Sequence, residues 1–191
     1  MSVLWPGGAV ASGVSPVFDV YVWVEPGDRD GSLSRFIDRY VDVERPGDPR
    51  FPAFVRTFVS YDPAHGDADA LAELRRDDAA ERAFSLYLRA IGYYGAIVTV
   101  TEEGAFVLGL SLDGPLNASE TTREAADLMA ALMAEFAATG GIAGVELAPP
   151  QSASEWRDAY VLLRTVRAGK LDPVSYDAII DGAAPIGASE E

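Results

Sequence analysis

Apolar and polar residues alternate from Phe18 to Val24, with Phe18, Val20, Val22 and Val24 on one side and Asp19, Tyr21 and Trp23 on the other. A period of two with β-branched and aromatic content predicts a strand. The segment EPGDRDG breaks it, and the period then lengthens. Ser32 is placed to cap a helix in which Leu33, Phe36, Ile37, Tyr40 and Val41 recur at helical spacing, with Arg35, Asp38 and Arg39 on the wet side. ERPGDPRFP holds three prolines in nine residues and must be a loop. Phe54 to Ser60 reads as a second strand, although Phe54 and Phe58 also suit a short helix. From Asp67 to Ile91 the pattern is helical, as two helices broken near Arg76-Asp77-Asp78, with Phe84, Tyr87, Leu88 and Ile91 on one stripe.

The clearest signal lies further on. Ala96–Thr101 and Ala105–Leu112 are strand-like runs joined by the Gly-containing turn Glu102-Glu103-Gly104, which predicts a β-hairpin. Thr121 and Glu124 have capping-box spacing ahead of an apolar stripe from Ala125 through Leu128, Met129, Leu132 and Met133 to Phe136. Gly140-Gly141 is expected to stop that helix. Ile142 to Leu147 predicts a short strand. Ser152 and Glu155 then open a helix through Trp156, Ala159, Tyr160, Leu163 and Val166, and SYDAII after Pro173 predicts a last short helix.

The expected order is β-α-β-α-β-β-α-β-α. It predicts an α+β two-layer sandwich: a mixed sheet of about five strands with helices packed on one face. Residues 1–16 are expected to form a flexible leader, 17–182 a single domain and 183–191 a frayed tail. At 191 residues the chain is long enough for one full core and short for two.

Composition narrows the chemistry. The chain has 30 Asp and Glu against 15 Lys and Arg, a formal charge of -15, one histidine and no cysteine. Thiolate catalysis and Cys/His metal clusters are therefore excluded, and phosphate-rich nucleic acid is disfavoured as a direct ligand. Nothing approaches the roughly 20 apolar residues of a membrane span. The N-terminus lacks the cationic start of a secretory signal. With no cysteine, Lys170 the only lysine and much Ala and Gly, a GC-rich bacterial source and a cytoplasmic location are expected. The acidity is uneven: residues 1–61 hold eight acids and six bases, and the remainder 22 acids and nine bases.

His65, in DPAHGDAD, is a candidate acid/base oriented by Asp62, Asp67 or Asp69. Acids before a helix are, however, the expected caps and dipole partners, and the cluster lacks the Gly and terminal Glu of an EF-hand loop. Glu102-Glu103 offers paired carboxylates, or simply a soluble hairpin turn. No Walker, Rossmann or G-x-S-x-G pattern occurs, so no cofactor, metal or catalytic set is expected. Tyr21 and Trp23 on the outer face of the first strand must be covered by another element or serve as a contact surface.

The function expected from these features is that of an acidic protein-binding module, of the immunity or antitoxin type, that plugs a basic partner such as a nuclease toxin. Its expected contact residues are Glu102, Glu103, Asp67, Asp69, Tyr21 and Trp23. The alternative is a small-molecule-binding or enzymatic domain in which Arg29, Arg45, Arg50 and Arg56 of the less acidic third hold an anionic ligand. A third is a structural subunit that assembles through Tyr21 and Trp23.

Overall fold

The computed structural model describes residues 16–26, 29–76, 82–114 and 118–166. Its elements are β1 (Val17–Val24), α1 (Arg29–Tyr40), α2 (Phe51–Phe58), α3 (Asp67–Ala72), β2 (Phe84–Leu88), β3 (Gly95–Val100), β4 (Phe106–Asp113), α4 (Ala118–Glu135), β5 (Gly140–Val145), α5 (Ala153–Asp158) and β6 (Leu163–Val166). The six strands form one open sheet in the order β2-β3-β4-β1-β5-β6. The architecture is α+β, as expected, but every pairing is antiparallel rather than mixed, and the strands number six rather than five.

Three segments account for the changed order. Of Phe54 to Ser60, the residues through Phe58 belong to α2: Pro52 in its first turn suits a helix start, and the rings of Phe54 and Phe58 stack at a centroid distance of 5.1 Å, an i,i+4 contact. Phe84 to Leu88, expected as helix, is β2, because Phe84, Leu86 and Leu88 turn one way onto the core while Tyr87 points out. The helix opened by Ser152 stops at Asp158, where Ala159 turns to extended backbone. The rest of its apolar run becomes a short loop and β6. Gly140 and Gly141 lie in β5 rather than ending α4; Ala137, at φ 50°, takes the left-handed position after that helix. The expected leader short of Pro16, the helix at 175–180 and the frayed tail fall outside the described residues.

The β3–β4 hairpin forms as expected. Gly104 takes φ 78°, and the Thr101 hydroxyl accepts a hydrogen bond from the Ala105 N–H. β1 is central, paired to β4 on one side and β5 on the other. Its even-numbered residues join Phe36, Phe54, Leu71, Leu132 and Phe136 in one apolar cluster that places α1–α4 over one face. The opposite face holds a smaller cluster of Tyr21, Trp23, Ile97, Val107, Ile142 and Trp156, covered by α5 and the chain on either side of it. Helices therefore pack on both faces. The sheet margins differ as well: β6 is four residues long, whereas β2, FSLYL, carries no charged side chain.

Candidate functional site

The expected contact residues do not assemble into one surface. Tyr21 and Trp23 are covered, at 1% and 5% exposure. Trp23 meets Trp156 edge to face at 5.4 Å, and the Tyr21 hydroxyl donates to the Leu147 carbonyl at 2.7 Å. This face is an interior, so neither ring is open to a partner or to a second copy of the chain. Its dryness also governs protonation. Burial raises the pKa of Asp19 despite hydrogen bonds from the Ser111 hydroxyl and the Leu147 backbone, and it drives that of Tyr21 well above the usual phenol range.

Asp67 and Arg56, expected in rival sites, bind each other. Arg56 Nε and Nη2 donate to the two Asp67 oxygens at 2.9 and 2.6 Å, and the Ala64 N–H adds a third bond. These donors hold the carboxyl pKa at about 2. Arg50 forks onto Asp48 in the same way, lowering that carboxyl, and Arg45 pairs with Asp42 at 3.3 Å. The three guanidiniums are thus neutralised locally and line none of the cavities described below. The Arg29 side chain lies outside the described residues. Asp69 is exposed on the first turn of α3. Glu103 accepts the Ala153 N–H at the start of α5, while the Glu102 N–H donates to the Gln151 carbonyl. The expected turn residues therefore also tie the hairpin to the cover of the second face, Glu103 by its carboxylate and Glu102 by its backbone. His65 is exposed in the loop before α3, and among the described residues no three His, Cys, Asp or Glu side chains group to hold a metal.

Two clefts collect side chains with unspent chemistry. One, of about 400 Å3, is lined by Gly92, Tyr93, Tyr94, Leu112, Asp113 and Glu124, where the β2–β3 connection meets the end of β4 and the first turns of α4. Tyr94 is 60% exposed, and neither carboxylate has an ion pair among the described residues. Tyr93 and Tyr94 lie in the bend before β3, outside any regular element, so no periodicity marks them in the sequence. In the sequence Glu124 figures only as a capping residue, and Asp113 only as the residue that follows the expected hairpin strand Ala105–Leu112.

The other cleft, of about 360 Å3, lies between α3 and the hairpin turn. Phe58, Leu71, Phe84 and Val100 supply its apolar lining. Arg75, Arg82, Glu102 and Glu103 also line it and are exposed. Reading residues 67–91 as helical hid the approach of Arg82 to the hairpin.

No family model matches this chain, and no curated protein or solved structure matches it. The fold and the two clefts define a class only: an α+β protein of net negative charge with an open antiparallel sheet and small surface clefts.

Proposed function

We propose that the protein is an acidic protein-binding module, of the immunity or antitoxin type, that blocks a basic partner such as a nuclease toxin in a bacterial cytoplasm. The observation that carries this reading is the cleft at Tyr93, Tyr94, Asp113 and Glu124, where two carboxylates with no ion pair among the described residues stand beside an exposed aromatic ring. A guanidinium or ammonium entering it meets two negative charges and ring faces together. Cation–π contact contributes about 0.5–2 kcal/mol as desolvation increases. The net charge of -15 steers such a partner from a distance. The bacterial source and cytoplasmic location rest on composition. The structure adds that no helix among the described residues is long and apolar enough to cross a membrane.

The test is retention of basic proteins on the immobilised chain at low and high salt, comparing wild type with D113N/E124Q. Wild type is expected to hold a basic protein at low salt and release it at high salt. The double variant should bind it at least about tenfold more weakly. No partner at low salt, retention indifferent to ionic strength, or unchanged retention by the variant would each refute the reading.

A further inference from the structure

We infer that the cleft between α3 and the β3–β4 turn is a second, separate site, for a small carboxylic acid with an apolar tail. The space of about 360 Å3 is lined mostly by carbon, and Leu71, Phe84 and Val100 are buried at its base. A fully hydrated anion gains little from such a surface, whereas an alkyl or aryl tail gains by leaving water. The polar groups are unequally engaged. Arg39, Arg45, Arg50, Arg56 and Arg76 all hold carboxylates, but Arg75 and Arg82 have no ion pair among the described residues. Each guanidinium offers the planar fork of donors that a carboxylate accepts, and two of them line this one cleft. Glu102, in the same lining, repels the carboxylate head, and the apolar base takes the tail. An apolar amine meets the reverse: repulsion from both arginines and one partly engaged carboxylate pair, since Glu103 already accepts the Ala153 N–H.

The proposal is tested by titrating the full chain with hexanoate, octanoate and octylamine, followed by calorimetry and by backbone amide shifts in NMR. Octanoate is expected to bind saturably and to move the amides of Leu71 and Gly104. Each further buried methylene should tighten binding about fourfold until the slot is filled. R75Q/R82Q should weaken octanoate at least about tenfold. E102Q should tighten it by removing the repulsion. Because these side chains are exposed, the variants leave the core untouched; Ala68→Trp, also exposed and lining the slot, should block binding with an unchanged far-UV spectrum. Absence of saturable binding, octylamine binding as tightly as octanoate, or indifference to R75Q/R82Q would overturn the assignment. None of these outcomes bears on the Tyr93/Tyr94 cleft, which D113N/E124Q tests alone.

Discussion

On the α1–α4 side of the sheet many apolar side chains share the contact, whereas on the α5 side a few aromatic rings and single hydrogen bonds hold the cover down. Leu147 shows the second mode: its backbone bonds Asp19, and its carbonyl accepts from Tyr21. Gln151 adds a buried polar link, its Nε2 donating to the Ser85 hydroxyl, which in turn bonds Thr99 at 2.8 Å. The broad side is robust by redundancy. The narrow side depends on each bond being made, because a buried polar group without its partner costs about 1–3 kcal/mol.

Substitutions separate the two modes. The largest effect is expected from Phe36→Ala, since Phe36 is fully buried and contacts the rings of Tyr40 and Phe136. Urea unfolding should show a loss of about 3–5 kcal/mol. Next comes Gly109→Ala. A methyl there would overlap the Tyr21 ring, which is packed and hydrogen-bonded, so a loss of about 1–3 kcal/mol is expected, with a change in the near-UV spectrum. Gly141→Ala is its control on the broad side. Its methyl would lie 2.5 Å from Met129 Cγ, in an unbranched chain that can shift, so the cost should be smaller. Equal costs for the two glycines would end the contrast.

The smallest effect is a pH dependence. The folded pKa of Asp19 is raised above 3.8, so the native state binds its proton more tightly than the unfolded chain does. Its contribution to stability is full below about pH 3.8 and is lost as pH rises through the folded value. Asp67 runs the other way. With a folded pKa of about 2 against 3.8, its pairing with Arg56 stabilises above pH 3.8 and is lost as pH falls toward 2. Asp19→Asn should flatten the fall in urea midpoint between pH 4 and 7 and leave the acid limb in place; Asp67→Asn should erase the Asp67 part of that limb and leave the fall. If Asp19→Asn leaves the slope above pH 4 unchanged, Asp19 does not carry that fall.

How much of this was legible in the chain follows the same division. β1, α1, the hairpin and the apolar stripe of α4 are visible because their contacts repeat at fixed spacing. Phe84, Tyr87, Leu88 and Ile91 fit a helical stripe and a strand almost equally well; pairing with β3 decides the matter, and that partner is distant in sequence. Trp156, Tyr160 and Leu163 mislead similarly, since Tyr160 is 96% exposed past the end of α5. The candidate sites were harder still. Which acid is neutralised depends on an individual neighbour, as Arg56 is for Asp67, and composition cannot distinguish Asp67 from Asp113.

β2 gives the negative charge a second use. Each copy carries an uncharged strand at one margin of its sheet, with neither lysine nor proline to discourage edge-to-edge zipping. Mutual repulsion between molecules of charge -15 guards against it, and it vanishes near the isoelectric point of about 4.3 and weakens in concentrated salt. Precipitation under those conditions is accordingly expected to begin at Phe84–Leu88 and to proceed by growth of the sheet without prior unfolding.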